Sequence, residues 1–413
     1  MDLLRLDSNF VPNTLIEGYE SLIWTERFRN HGEFQLKTSR VSATKALLPE
    51  GALISLRDSA EVMIVESHSL KYSEGNKRTL VISGRTFETF LENRVQVGPV
   101  YKESWRPLVA YTDGVYIMLL LWNHMVNTTD QDPTYVGTKD PLTAVPMVVV
   151  TSSITVNSIL EDWVFDEGPV YQMLRRYLDF GDLGVRNIRP LNTTADVISF
   201  DVSSTVERGM PILTPMSGID QLRMDVYHGT DRTRHQTVVE PIIFHYESGH
   251  IDDPEYFMSI KDEKHVALVS TSIGRGTVWP NTTPPPDTTV SGLSRRILYF
   301  DGGTKNDESG QDEFIQGATQ NAYVELSKHP HAILFDGGVS AMAPYEYNKD
   351  YFLGDRVTLM GEYGFEESMV ISEFVRTQDS NGEVGYPGLV RKEEYDVTKK
   401  RTIEGLPSRG RRL

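Results

Sequence analysis

The feature that most narrows the possible folds is an internal repeat of short strands. In the first copy Gly51 is followed by Ile54-Ser55-Leu56, then Met63-Ile64-Val65-Glu66, then a Ser73-Glu74-Gly75-Asn76 turn. In the second, Gly354 is followed by Val357-Thr358-Leu359, then Met369-Val370-Ile371 with Glu373, then Asp379-Ser380-Asn381-Gly382; the first turn is three residues longer. Both read strand, turn, strand, turn, strand, with the Ser, Asp, Asn and Gly clusters supplying the hairpin turns. Two antiparallel meanders can resemble each other by coincidence; the sharper reading is a duplicated small β-barrel. Three such chains around an axis would present six similar barrels, approximating sixfold symmetry with a threefold protein.

The strands around the repeat set the domain organisation. Near the start, Ser21 to Ser39 holds two arms around an Asn30-His31-Gly32 turn. In the second arm Phe34 and Leu36 alternate with Glu33, Gln35 and Lys37, the period of a sheet with one wet face. Charging Phe34 or Leu36 is therefore expected to block ring assembly. Short helices or turns are expected at Val41–Ala46 and Phe87–Leu91, and residues 1–98 make the first tube-like barrel domain. Residues 99–215 read as an inserted α+β domain. Thr112 or Asp113 caps one apolar helix there, and a second runs from Pro169 to Gly181 with Val170, Met173, Leu174, Tyr177 and Leu178 as its stripe. Residues 216–330 are β-rich, interrupted by a Pro-rich linker at 279–292 and closed by a helix at 312–328 on which Ile315, Ala318, Ala322 and Leu326 line up. Residues 331–390 hold the second barrel segment, and 391–413 a basic tail expected to be flexible.

Composition removes several function classes. A net charge of −17 and a pI near 5.1 disfavour a nucleic-acid-binding surface, because phosphate contacts need clustered Lys and Arg. The absence of cysteine excludes disulfides, Cys-ligated zinc and thiol nucleophiles. Met1-Asp2-Leu3-Leu4-Arg5 lacks the basic start and apolar run of a signal peptide, and the apolar stretch Val115 to Trp122 is too short to span a bilayer. A soluble protein made in the cytoplasm is expected.

Motifs that carry chemistry are missing. There is no Gly-rich phosphate loop with Lys, no Gly-x-Ser-x-Gly elbow and no His-Glu-x-x-His helix. His329-Pro330-His331 has a zinc-peptidase spacing but no His-x-x-x-Asp companion, and is read as a loop after a helix. Phe300-Asp301-Gly302-Gly303 and Phe335-Asp336-Gly337-Gly338 repeat one string, read as turns at strand ends. The cluster Thr230-Asp231-Arg232-Thr233-Arg234 is read as a hairpin turn. No catalytic, cofactor-binding or metal-ligating residue is assigned.

Several segments, taken in order, resemble the minor tail proteins of long non-contractile-tailed phages typified by the ReqiPepy phage. They are Tyr19 to Leu36, Val226 to Val269 with its Gly-x-Asp-Arg-Thr string, Arg295 to Gly303, the helix near 318, and the closing Tyr351 to Gly364. His265-Val266-Ala267 departs from the usual Asn-Val-Ala, and the Pro-rich linker is a further departure. The resemblance implies a fold similar to the hub of T-even tails: mainly β with α+β insertions and two tube-like antiparallel β-barrels per chain. It implies a structural tail-hub protein at the baseplate or tail tip of a siphovirus virion, a homotrimer active in genome ejection, without enzyme activity or cofactor. Its expected partners are a hexameric distal tail protein, the tape measure protein, and tail fibre, spike or other tip proteins. Phage DNA would pass the lumen without specific binding, and the chain would not insert into a membrane. The rival readings are a tail-associated cell-wall hydrolase, for which the roughly 20 residues after the second repeat are too few, and a cell-wall-binding module.

Overall fold

The computed structural model describes residues 1–72, 78–96, 121, 145, 147–152, 168–181, 183–189, 193–200, 211–219, 221–279, 287–305, 310–326, 328–329, 332–340, 342–362 and 366–391. The chain divides into two compact units, one of Met1–His250 with Val339–Lys392 and one containing Ile251–Gly338.

The first unit is organised by an eleven-stranded sheet. Its strands are β1 (Leu3–Leu6), β2 (Pro12–Ile16), β3 (Ser21–Arg27), β4 (Glu33–Thr38), β5 (Leu53–Leu56), β6 (Met63–Tyr72), β7 (Arg78–Thr86), β8 (Ile243–His245), β9 (Arg356–Met360), β10 (Glu366–Asp379) and β11 (Gly382–Arg391). Their order is β8-β9-β10-β3-β4-β7-β6-β5-β1-β2, with β11 on the other side of β10. The alternation in the second arm of the opening hairpin is realised residue by residue: Phe34 and Leu36 are buried while Glu33, Gln35 and Lys37 are exposed. Both apolar side chains enter a core with Leu3, Leu22, Trp24, Ile54, Met63 and Ile82. Charging either would strike this core, so such a change tests folding of the first unit and not, as the sequence suggested, ring assembly.

The internal repeat is visible in the hydrogen bonds. In both copies three strands form an antiparallel meander, β5-β6-β7 and β9-β10-β11. Gly51 N–H donates to Val65 O at 2.7 Å, and Gly354 N–H donates to Ile371 O at 2.8 Å. Both glycines sit at positive φ, +82° and +87°, which a side chain would strain. The ladder registers correspond, Leu53 with Ile64 as Arg356 with Val370, and each middle strand carries a bulge at the same place, Val65/Ser67 and Ile371/Glu373. The mainly β character with α+β insertions is as the sequence indicates. The barrels are not closed on themselves, however. Six residues of β3 pair with Glu373–Gln378 of β10, which joins both copies into one sheet with an open order among the described residues.

The middle block packs onto the first copy. Strands Gly184–Ile188, Leu222–Tyr227, Val148–Ser152, Thr193–Phe200 and Pro211–Ile219 form a sheet in that order, the second and third parallel. Two helices matter for position: α1 (Val41–Leu47) and α2 (Val170–Gly181), the latter starting after Pro169 as expected. Val170, Met173, Leu174 and Leu178 of α2 share one core with Leu6, Phe87 and Leu91 from the first copy and Val150, Met224 and Val226 from the inserted sheet.

In the second unit, α3 (Gln311–Leu326) covers a three-stranded sheet of Gly274–Val278, Val266–Thr271 and Ile297–Asp301. Ala318, Ala322 and Leu326 are buried there with Ala267, Val269 and Val278. Ile315 is not part of the stripe; it remains 43% exposed, because the helix rests only its later turns on this small sheet. The helix expected from Thr112, apart from Leu121, the stretch 280–286 of the Pro-rich linker and the basic tail beyond Arg391 lie outside the described residues.

Candidate assembly interface

A ribbon of six strands, β11-β10-β3-β4-β7-β6, runs without a break through the first unit. One face holds the apolar core. The other is polar and its carboxylates are matched: Arg27 bonds Glu33 at 2.7 Å and Glu373 at 2.9 Å, and Arg85 bonds Glu66 at 2.8 Å and Glu92 at 2.9 Å. Such surface pairs contribute about 0.2–1 kcal/mol each. Two arginines against four carboxylates leave these groups net negative, so this face carries part of the acidic excess of the chain.

The two copies are locked together at a buried junction. Glu26, 3% exposed, accepts hydrogen bonds from Trp24 Nε1 at 3.0 Å, Ser59 Oγ at 2.6 Å and Tyr347 Oη at 2.9 Å. The Tyr347 ring stacks on Phe374 with centroids 4.0 Å apart, and Arg376, which pairs with Asp58, reaches over both rings. Burial, then the neighbouring Glu26 charge, keeps the Tyr347 phenol protonated well above its usual range. Phe28 N–H donates to Ser372 O at 2.9 Å. Tyr19 Oη lies 2.6 Å from Met1 O and 2.8 Å from Gln378 Oε1.

Beside the junction is a cavity of about 90 Å³, lined by Glu26, Ser59, Glu61, Arg186, Tyr227 and Tyr347 among others. Glu61 accepts from Asn187 N–H at 3.4 Å, and Glu88 accepts from Thr86 Oγ1 and Asn187 Nδ2. Burial, then the Glu88 and Glu26 charges, pushes the Glu61 carboxyl well above its ordinary value; the Asn187 N–H and Arg186 oppose this. Burial raises Glu88 as well. A carboxyl with a raised folded-state pKa binds more protons folded than unfolded, so stability is fully present below the ordinary glutamate value and declines as pH rises through the shifted one. The thermal midpoint is expected to fall as pH increases above 4.5, the ordinary value, and Glu61→Gln should flatten that slope and raise the midpoint at neutral pH. Scanning calorimetry across the range checks this; a midpoint that rises with pH would contradict it.

The motifs singled out in the sequence are placed as follows. Asp301-Gly302-Gly303 is a turn at a strand end, its Gly303 N–H donating to Asp301 Oδ1 at 2.9 Å. The second string, Phe335 to Gly338, is not a turn; it lies inside strand Ala332–Val339, paired with Ile251–Ser259, where ladder hydrogen bonds outweigh the turn preference of Asp-Gly. Thr230 to Arg234 is not a hairpin between two strands but a loop fastened to the second copy: Asp355 accepts from Thr230 N–H at 2.7 Å and Arg232 Nε at 2.8 Å. His329 follows α3 and caps nothing catalytic, its N–H donating to Leu326 O; His331 lies outside the described residues. Among the described residues no group of three His, Asp or Glu side chains could hold a metal, and no helix is long and apolar enough to cross a membrane. Sequence reasoning missed Glu26, although its even spacing from Leu22 and Trp24 places it on the inward face. Glu61, Glu88 and Tyr347 carry no sequence signal.

The duplicated meander, the shared sheet and the α+β insertion define a phage tail-protein fold. The 43 kDa tail protein of prophage MuSo2 from Shewanella oneidensis superimposes with a TM-score of 0.52 at 12% identity, over 96% of this chain and 99% of that one. A tail protein from Neisseria meningitidis MC58 gives 0.48 at 11% identity, over 96% and 98%. Prophage tail protein gp18 from Listeria monocytogenes EGD-e gives 0.45 at 10%, over 98% and 100%. No curated protein matches in sequence. The family model described as Siphovirus ReqiPepy6 Gp37-like protein matches residues 6–384, and the chain belongs to that family. It is a tail protein of siphovirus type, and its place is the virion tail.

Proposed function

We propose that the chain is the tail hub: three copies form a ring with approximate sixfold symmetry that continues or closes the tail tube beneath a hexameric distal tail ring and anchors fibre, spike or other tip proteins. The observation that carries this reading is the duplicated meander, matched in register, bulge and positive-φ glycine, within one sheet. Two equivalent modules per chain give six around a threefold axis, the number a hexameric neighbour requires. The role is mechanical. The wall holds a channel through which DNA passes without specific binding, and the ion-pair clusters of the polar ribbon face, two arginines each shared by two carboxylates, give it little to hold phosphate. Electron cryo-microscopy of intact tail tips is expected to show three copies of this chain around the axis; six copies, or one, would overturn the proposal. Purified protein incubated with cell walls should release no muropeptides, and clear release would make it a hydrolase instead.

A further inference from the structure

The two copies of the meander differ in which edges are paired: β7 of the first is flanked by β4 as well as β6, β11 of the second by β10 alone among the described residues, and the middle strands differ in turn. Along β10, the edge occupied first by β9 continues under β3, which pairs with Glu373–Gln378. By the matched registers, the corresponding stretch of β6 is Ser67–Tyr72. There β5 pairs only with Met63 and Ile64, and no strand follows it among the described residues. The consequence appears in burial. Arg376 of β10 is 7% exposed, whereas its counterpart Leu70 of β6 is 40% exposed, although the cross-strand partner of Leu70 is the buried core residue Leu80; Tyr72, beyond it on β6, is 67% exposed. At the other end of the ribbon β11 pairs, among the described residues, with β10 alone, and Val384 is 44% exposed. Long uncovered edges with apolar side chains are what soluble proteins otherwise protect.

Both ends of the six-strand ribbon are thus open, and their directions fit each other. Every step from β11 through β10, β3, β4 and β7 to β6 is antiparallel. An even number of alternating strands leaves β6 antiparallel to β11 of a second copy related by rotation about an axis along the strands. We infer that the β6 edge at Ser67–Tyr72 is a docking site for β11 of a second copy of this chain, so that the sheet continues from copy to copy. The contact is head-to-tail: each chain uses one edge to give and the other to receive, the arrangement that closes into rings. It rests on the ring reading above and names the surfaces that would close it. Glu66, His68, Lys71 and Tyr72 from β6 and Glu383, Tyr386 and Arg391 from β11 are the titratable groups along these strands; His68 is held by Leu48 O and lies near Glu50, and Glu383 by the Met1 ammonium, so neither edge depends on one charge pair.

The cysteine-free sequence makes the test clean. Strands in register lie about 4.7–4.9 Å apart, within reach of a disulfide whose Cα atoms are about 4.4–6.8 Å apart. Chains carrying Leu70→Cys together with Val384→Cys or Tyr386→Cys are purified, concentrated and oxidised, alone and in assembled tails. At least one double variant is expected to give covalently closed oligomers of a single size that collapse to monomers on reduction, with the corresponding loss of cross-linking in chains bearing only one cysteine. Native mass measurement separates the failures. Closed oligomers that never cross-link at these positions would overturn the edge pairing and leave the ring reading standing; a chain that is monomeric in solution and present as one copy per tail would overturn both.

Discussion

Phe34→Asp is expected to leave the chain largely insoluble, with loss of the cooperative thermal transition of the first unit. Phe34 is 2% exposed between Trp24, 6.2 Å away between ring centroids, and the strand bearing Gly84. The fit at that strand is close: a Cβ added at Gly84 would lie 1.8 Å from Ile64 O and 2.8 Å from the Phe34 ring. Removing a core Phe costs about 3–5 kcal/mol, and an unpaired carboxylate in its place adds a further desolvation penalty of several kcal/mol. Together these exceed a large part of a typical folding stability of about 5–15 kcal/mol. Phe34→Leu, which keeps an apolar group, should fold with a lowered midpoint. Circular dichroism and soluble yield decide it; a soluble Phe34→Asp chain with an unchanged midpoint would mean the second arm does not face the core.

The second large effect is expected from Glu26→Ala. This carboxylate accepts from three buried donors, Trp24 Nε1, Ser59 Oγ and Tyr347 Oη. Each unsatisfied buried polar group costs about 1–3 kcal/mol, so three give a loss of roughly 3–9 kcal/mol, offset in part by the charge no longer buried near Glu61. Glu26→Gln keeps an acceptor and should cost less. Tyr347→Phe removes a single donor and keeps the ring on Phe374, so it should lose the least of the three. Urea titration of all three variants gives the ranking; Glu26→Gln falling below Glu26→Ala would show that a retained acceptor does not support the junction and would overturn the hydrogen-bond account.

How much could be read from the sequence follows from where the information is stored. Strand alternation is local, so the wet and buried faces of Glu33–Thr38 were legible without a structure. The repeat was legible because both copies keep the same glycine, strand spacing and turn chemistry, which are also short-range. What pairs beyond the meander was not: nothing in Leu22–Arg27 marks it as the neighbour of Glu373–Gln378, since ladder hydrogen bonds use the backbone, which every residue supplies. The Phe335-Asp336-Gly337-Gly338 string failed for the same reason, its local turn preference yielding to a distant strand. The buried acids at 26, 61 and 88 come together only through the fold, and a glutamate in a sequence of 58 acidic residues carries no mark of burial.

The joining of β3 to β10 also fixes when the wall can exist. Tyr19 and Gln378, in contact at that seam, are 359 residues apart, so its closure is among the most non-local steps the chain can take. During synthesis the opening hairpin waits with one edge bare until the last hairpin has emerged, and only then does β3 acquire its second neighbour. A nascent chain that stops short of β10 therefore has no finished sheet in its first unit. The seam acts as a clock, making synthesis of the second copy a precondition for completing the first.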